Sequence, residues 1–381
     1  MEKYDKLFLD TIENKYISAF ILHALGDTIG FRNGEWEFNY FQQEITLDMT
    51  TEILYDFIDL GGINGINLDG WYVSDDTIIN MAVANGLLQN KIKHSYLFND
   101  ETLHNIKQEI IIAFNQMIDD KTHDKNRYFG KTTFKYIKII NDKGIDGRNL
   151  PYDENSGGNG AAMRSGPIGL AFFGEKYRDL LIKSSIEQSK ITHNNAFGYL
   201  GGLSVALFTA FAVENIDINK WPFLLIDILD SKNVKKYISS DVNDQKDYVL
   251  FINYWRKYID TRFENNVPIT SRSHKNLILR SRYYYENFTK DTRSTFIGES
   301  GLCAVIMAYD SLIDSNGKWE KLVVYAGLHL GDSDTVCAIA GFLFGIFYGI
   351  ADVPKNNLIH LEYYDELFKL GTSMYKRYHK K

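Results

Sequence analysis

The sequence predicts an all-α protein with a compact orthogonal multi-helix fold, formed by one domain over residues 1–381. Three observations support this fold class. Apolar residues recur at helical spacing, for example in 17–25 at positions i, i+3, i+4, i+7 and i+8. Sustained alternation with a period of two, which is typical of half-buried strands, is scarce. Only 5 prolines occur, as expected if long helices are uninterrupted.

The elements follow in chain order. The pattern in 17–25 predicts a first helix, and Gly26 is expected to end it. A second apolar stripe in 78–88 predicts a helix that Ser74 or Asp75 would cap. Further helices are predicted over 180–190, from Ala196 onward, and over 248–258, 302–312 and 318–329. The segments 141–160 and 262–300 are predicted to be irregular.

Two apolar runs, Ala196–Val213 and 335–351, contain no charged residue. Their length is near that of a membrane-spanning helix, which needs about 17–25 residues. The other interpretation is a helix that is hydrophobic all round and buried at the centre of the protein. We favour this central buried helix and expect no membrane partner, because no basic belt flanks the second run. Its glycines would let a neighbouring helix approach closely; they are Gly341, Gly345 and Gly349.

Composition narrows the class of protein. The net charge is −7 at pH 7, which argues against non-specific binding to nucleic acid. The two cysteines, Cys303 and Cys337, lie in apolar contexts and are expected to be reduced core thiols. Residues 1–10 are charged and lack the apolar core of a signal peptide. We therefore expect a cytoplasmic enzyme, acting as a monomer.

Two short acidic clusters, each opening onto an apolar run, carry most of the chemical information. They are Ser74-Asp75-Asp76-Thr77 and Asp332-Ser333-Asp334-Thr335. Helix capping alone could explain one cluster, since acids favour the first turn of a helix. The second cluster precedes a buried helix, where neighbouring carboxylates repel each other unless a cation intervenes. Carboxylate and hydroxyl oxygens suit Mg²⁺, Mn²⁺ or Ca²⁺ rather than zinc, so the clusters predict a site for a pair of such metals.

A glycine-rich segment at 156–169 is the second candidate site. Glycines allow backbone N–H groups to approach a phosphate closely, although a tight turn between helices has the same composition. Ser156 and Asn159 could supply directed hydrogen bonds, whereas Arg164 could contact a phosphate or form a buried structural ion pair. His193 precedes a buried helix, and a lone histidine there is more often a structural donor than a ligand-binding group.

Two other patterns resemble known sites but are weaker. Gly130-Lys131-Thr132 is similar to the end of a nucleotide-binding loop, but Lys125 stands where that loop needs its first glycine. The segment 272–288 alternates basic and aromatic residues, as single-stranded nucleic-acid sites do. An amphipathic helix face or a loop cover explains this segment better, and we expect no nucleic-acid partner.

The ordered set of motifs resembles the ADP-ribosylglycohydrolase family over about 20–350. The matching segments are 26–30 (Gly-Asp-Thr-Ile-Gly), 33–38 (Asn-Gly-Glu-Trp-Glu-Phe), 74–77, 157–164, 192–193, 198–201 and 331–335. Segments 33–38 and 151–153 resemble the ADP-ribosylarginine hydrolase branch most closely. The resemblance implies an all-α fold with a dinuclear Mg²⁺ cleft, and hydrolysis of the N-glycosidic bond between ADP-ribose and protein arginine. The partners would be ADP-ribosylated proteins, with free ADP-ribose as the product.

The resemblance also assigns roles to residues. The implied metal ligands are Ser74, Asp75 and Asp76 on one side and Asp332, Asp334 and Thr335 on the other. The diphosphate and the neighbouring ribose would lie against Ser156, Gly158 and Asn159, and His193 would contact substrate. Asp75 or Asp76 would act as the catalytic carboxylate, taking a proton from water or stabilising the oxocarbenium-like state.

The chain departs from the family pattern in places. Some members supply an extra glutamate ligand after the first helix, where Glu35 and Glu37 lie without a secure correspondence. Gly157 stands where some members place an aromatic residue, and Tyr152 could substitute for it. These departures leave two alternatives open: a hydrolase of serine-linked or other ADP-ribose conjugates, and a non-catalytic relative that binds ADP-ribose.

Overall fold

The structure is a computed structural model that describes residues 6–38, 47–89, 98–122, 127–270 and 275–379. In these ranges helices dominate, and the strands form one short hairpin, so the predicted all-α class is confirmed. The α-helices are α1 Ile12–Phe31, α2 Leu47–Asp59, α3 Gly62–Gly65, α4 Asp75–Leu88, α5 Asp100–Asp119, α6 Lys131–Lys143, α7 Gly166–Ala171, α8 Arg178–Ser189, α9 Ala196–Val213, α10 Trp221–Leu229, α11 Lys232–Lys235, α12 Val242–Arg262, α13 Leu277–Phe288, α14 Gly301–Ser315, α15 Trp319–Gly327, α16 Ser333–Tyr348 and α17 Tyr364–Met374. The antiparallel strands are β1 Phe263–Glu264 and β2 Val267–Pro268, with Phe263 opposite Pro268.

The described residues group into two compact units. The first takes those within Met1–Thr77, Thr270–Glu299 and Cys303–Tyr375, and the second takes those within Ile78–Ile269, Ser300–Leu302 and Lys376–Lys381. Each unit has its own buried apolar residues. The assignment of 1–381 to one catalytic domain stays a prediction.

The core of the first unit is the packing of α16 along α1. Every residue of α16 from Ser333 to Ile346 is buried, as predicted for a helix that is hydrophobic all round. Gly341 and Gly345 face the α1 backbone so closely that a methyl group on either would clash with the carbonyl oxygen of Leu22 or Ser18. The predicted close approach is thus confirmed for these two glycines. Gly349 instead has a φ of 78° and follows the helix end.

Helix α1 is longer than predicted. Gly26 does not end it, and the helix continues to Phe31 before Arg32 adopts a left-handed conformation with φ 43°. The prediction was wrong because Gly26 serves packing: an added Cβ would overlap the carbonyl oxygen of Cys337 on α16. Helix α4 begins at Asp75, directly after Ser74, as the capping pattern predicts.

The second unit is organised around α9, which packs against α7, α8 and α12. Among the described helices, α9 alone is long and apolar enough to cross a membrane by length and composition. However, 94% of its 18 residues are buried inside the protein. This burial explains its apolar sequence as that of a core helix.

The segment 262–300 is more regular than predicted. It contains the β1–β2 hairpin and the whole of α13, and positions 271–274 lie outside the described residues. Asn276 caps α13 by accepting hydrogen bonds from the N–H groups of Ile278 and Leu279. Arg280 points inward, where Asp310 and Asp314 neutralise it, so this side chain is part of the core.

Candidate metal centre and glycine loop

The first acidic cluster lies in the first unit, at the start of α4. Asp75 and Asp76 are both buried there. One oxygen of Asp76, Oδ2, accepts hydrogen bonds from the hydroxyls of Ser74 (3.2 Å) and Thr335 (3.1 Å). The other, Oδ1, is buried, and no donor within the described ranges reaches it. A buried carboxylate oxygen in this state is suited to a cation.

The second cluster lies at the start of α16, in the same unit. Asp332, Asp334 and Thr335 are buried, and the Thr335 N–H donates to Asp334 Oδ1 at 2.7 Å. The bond from the Thr335 hydroxyl to Asp76 brings the two clusters together, although 258 residues separate Asp76 from Asp334 in the chain. The structure therefore juxtaposes the acids that the sequence singled out.

The carboxylates form two overlapping groups whose ligand atoms lie within 4.8 Å of one another. One group is Asp27, Asp76 and Asp334, and the other is Glu37, Asp332 and Asp334. Asp75 belongs to neither group. Asp27 lies in the segment 26–30 that resembles the family, which assigns it no role, and Glu37 is one of the two glutamates without a secure correspondence. The sequence spacing of neither residue indicated that it lies beside the acidic clusters.

Glu37 reaches the cluster because its loop is anchored on both sides. Asn33, with φ 56°, accepts a hydrogen bond from the Tyr72 N–H and donates to the carbonyl of Gly70. The Phe38 N–H donates to the carbonyl of Gly331 at 3.1 Å. The loop after α1 is thus tied to both segments that carry the acidic clusters.

The carboxylates perturb one another strongly. Burial, together with the charges of Asp27, Asp75 and Asp332, raises the pKa of Asp76 well above its usual range. Burial and the charges of Glu37, Asp332 and Asp76 do the same to the pKa of Asp334. Like charges held together away from water are favoured only when a proton or a cation compensates them. The all-oxygen donor set and the unpartnered Asp76 Oδ1 fit a hard divalent cation.

The glycine loop lies in the second unit. Its backbone is fixed at two points: Gly158 forms an isolated antiparallel bridge with Ser300, and the Gly301 N–H donates to the carbonyl of Gly157 at 3.0 Å. Ser156 is fully buried, and its hydroxyl donates to Asp153 Oδ2 at 2.6 Å. Asn159 begins a short 3-10 turn, Asn159–Ala161, and is nearly buried. These contacts hold the loop against Ser300, Gly301 and Asp153.

Arg164 and His193 form the support of this loop. Arg164 is buried and donates to the carbonyl of Gly160 (3.0 Å), to Gln188 Oε1 (3.1 Å) and to the Thr192 hydroxyl (2.9 Å). These bonds give Arg164 a structural role, although the partners named are neutral groups and not the acid of the expected ion pair. The Thr192 hydroxyl also bonds His193 Nδ1 at 2.8 Å. Burial, assisted by the charge of Arg164, lowers the pKa of His193 to about 3, so this imidazole is neutral at pH 7. Its contact with substrate stays a prediction.

Comparison with known proteins places the chain in a family. The ADP-ribosylglycohydrolase family model matches residues 9–381, and the chain belongs to this family of hydrolases. A protein of Acanthamoeba polyphaga mimivirus with the provisional name ADP-ribosyl glycohydrolase L444 is 38% identical over 361 residues, covering 91% of this chain and 67% of its own. ADP-ribosylhydrolase ARH1 of Dictyostelium discoideum is 28% identical, covering 95% and 94%, and ADP-ribosylhydrolase ARH3 of Homo sapiens is 22% identical, covering 93% and 91%.

A solved structure has the same fold. An "ADP-ribosylglycohydrolase-related protein complex" superposes with a TM-score of 0.58 at 16% identity, covering 97% of this chain and 99% of that one. The predicted fold type is thereby confirmed. The family membership that the motif order indicated is confirmed by the match over 9–381.

Proposed function

We propose that this chain is a Mg²⁺-dependent hydrolase that releases ADP-ribose from arginine side chains of proteins, reversing mono-ADP-ribosylation. The observation that carries the proposal is the meeting of two buried acidic turns around Asp76 and Asp334. Such a concentration of carboxylates is expensive to maintain without a function that uses it. The arginine linkage is supported by segments 33–38 and 151–153, which resemble the arginine-hydrolase branch.

The proposed ligand set combines both turns. It consists of Ser74, Asp75, Asp76, Asp332, Asp334 and Thr335, with Glu37 adding a carboxylate beside Asp332 and Asp334. Two Mg²⁺ ions, or Mn²⁺ in their place, would orient the ribose hydroxyls and an attacking water when bound.

The chain's own groups then serve the cleavage. Asp76 Oδ2 accepts hydrogen bonds from two hydroxyls, which leaves Oδ1 for the cation. Asp76 is one candidate for the catalytic carboxylate, which takes a proton from water or stabilises the oxocarbenium-like state. Asp75, its buried neighbour, is the alternative catalytic carboxylate. Positive charge that develops at the anomeric carbon would be stabilised by the same acidic surroundings. The guanidine of arginine is the leaving group.

The glycine loop supplies positioning. The diphosphate and the neighbouring ribose are proposed to lie against Ser156, Gly158 and Asn159, where loop amides can position them. The bridge of Gly158 with Ser300 and the bond of Ser156 to Asp153 support this role by holding the loop in place. We further propose that the enzyme acts as a monomer in the cytoplasm; its two buried free thiols support the reducing compartment.

The decisive experiment measures ADP-ribose released from an ADP-ribosylated arginine peptide, with Mg²⁺ or with EDTA. Mg²⁺-dependent release is expected, and a serine-linked peptide assayed in parallel tests the other linkage. Asp75→Ala and Asp334→Ala should each abolish turnover while far-UV circular dichroism stays unchanged. Release from the serine peptide alone would replace the proposed linkage, and full activity in either variant would contradict the dinuclear centre.

A further inference from the structure

The carboxylate of Asp27 is used almost entirely by hydrogen bonds to the first acidic turn. It accepts from the Ser74 N–H at 3.1 Å to Oδ1 and 3.2 Å to Oδ2. It also accepts from the Thr77 N–H at 3.1 Å and from the Thr77 hydroxyl at 2.5 Å, both to Oδ2. Asp27 is fully buried, and all of these atoms belong to the first unit. Its donors are the residues on either side of the proposed ligands Asp75 and Asp76.

The same helix also holds the second acidic turn. The carbonyl of Gly30, one turn beyond Asp27 on α1, accepts a hydrogen bond from the Ser333 hydroxyl at 2.7 Å. Only glycine fits at position 30, because an added Cβ would overlap the backbone of Ser333. Residues 27–30 of α1 therefore accept hydrogen bonds from both segments that carry the proposed metal ligands. Such sites need their ligands held to within about 0.5 Å.

We infer that Asp27 is a positioning residue that fixes the Ser74–Thr77 turn and does not itself bind the metal. The inference rests on the proposed function and adds a residue to it. One Asp27 oxygen does lie within 4.8 Å of ligand atoms of Asp76 and Asp334, which is also the geometry of a direct ligand. The two roles differ in how many acceptor sites of the Asp27 carboxylate must remain open for a cation. An ionised carboxylate offers about four acceptor sites, and three donors already occupy most of them.

Thr77 separates the two roles experimentally, because it touches Asp27 and is outside the proposed ligand set. Thr77→Val deletes the 2.5 Å hydroxyl bond, and Thr77→Ser keeps a hydroxyl as the matched control. Mn²⁺ affinity is measured by calorimetry on the full chain, and kcat and KM are measured with the arginine-linked peptide. For a group that orients metal ligands, Thr77→Val and Asp27→Asn should each weaken Mn²⁺ binding by about 10–100-fold. Thr77→Ser should restore binding to near the wild-type value.

Other outcomes would overturn the inference. If Asp27→Asn abolishes Mn²⁺ binding while Thr77→Val binds as the wild type does, Asp27 is a direct ligand. If both variants bind as the wild type does, Asp27 has no role in the centre. Circular dichroism checks the fold of each variant. If Asp27→Asn does not fold, the comparison of Thr77→Val with Thr77→Ser decides between the two roles of Asp27. A wild type that binds Mn²⁺ but releases no ADP-ribose would defeat the proposed function alone, because the affinities still test Asp27.

Discussion

At the scale of single residues, the buried ion cluster around Arg280 shows how the first unit tolerates charge in its core. The guanidinium pairs with Asp310 at 2.7 Å and with Asp314 at 2.6 Å. It also lies over the rings of Tyr284 and Tyr325, at 5.4 and 4.7 Å from their centroids. Here a cation belonging to the chain compensates the acids, whereas the cluster at Asp76 relies on proposed metal ions.

Removing that cation should be costly. Arg280→Ala leaves two carboxylates without their buried partner, and we expect the free energy of unfolding to fall by about 3–5 kcal/mol. Urea denaturation at pH 7 measures this change. Arg256→Ala is the matched control, because the pair of Arg256 with Asp230 is half-exposed and should contribute no more than about 1 kcal/mol. Equal losses in the two variants would contradict a structural role specific to Arg280.

His193 should make the stability depend on pH. Its pKa is about 3 in the folded protein and about 6.5 when exposed. Between these values the unfolded chain binds a proton that the folded chain does not, so stability falls as the pH falls from 6.5 toward 3. One such group contributes a slope of about 1.4 kcal/mol per pH unit.

His193→Gln should remove this slope. The measurement is the difference in unfolding free energy between the variant and the wild type, by urea denaturation at several values between pH 4.5 and 6.0. The difference is expected to change in favour of the variant as the pH is lowered. A constant difference over this range would show that His193 is protonated in the folded protein.

At the scale of elements, the sequence predicted helices well where packing and periodicity agree. The buried helix α16 and the start of α4 lie where the apolar runs placed them. The sequence-based prediction was wrong where a residue packs against a partner that is distant in the chain. Gly26 resembled a helix end because a glycine often follows the last turn of a helix. Its actual partner, Cys337, lies on α16 and is far away in the sequence. For 272–288 the sequence allowed an amphipathic helix face or a loop cover within a segment predicted to be irregular, and the structure shows the helix, α13. The acids that neutralise Arg280 lie on α14, so its inward direction was not visible from local spacing.

The packing of α1 against α16 provides a direct test. Gly341→Ala places a methyl group against the carbonyl oxygen of Leu22, so the helices must separate or distort. We expect the free energy of unfolding to fall by about 1–3 kcal/mol, the usual cost of overpacking. Gly130→Ala, where an added Cβ meets open space, should change it by less than about 1 kcal/mol. A neutral Gly341→Ala would mean that the two backbones are less close than described.

At the scale of the whole molecule, the order of motifs in the sequence indicated the family. The full set of acids in the candidate metal centre became visible only in the folded structure. The acids at 75–76 and 332–334 were found from their sequence because they begin apolar helices. Glu37 and Asp27 have ordinary local surroundings, and only the folding of α1 and its following loop brings them to the cluster. Likewise, the chain's two compact units were not visible in a sequence without a linker of distinctive composition.

Ligand linkage at the metal centre gives the last prediction. Mg²⁺ that binds the folded chain alone should raise the free energy of unfolding by about 2.7 kcal/mol at a concentration of 100 times Kd. Asp334→Asn should lose this response, and in EDTA it should be no less stable than the wild type, because it removes one of several repelling charges. Glu52→Gln is the control, since it makes the same charge change at an exposed position and should respond to Mg²⁺ fully. Urea denaturation in Mg²⁺ and in EDTA gives all of these values. A Mg²⁺ response that survives in Asp334→Asn would place the cation elsewhere, because this carboxylate is the one that both acidic groups share.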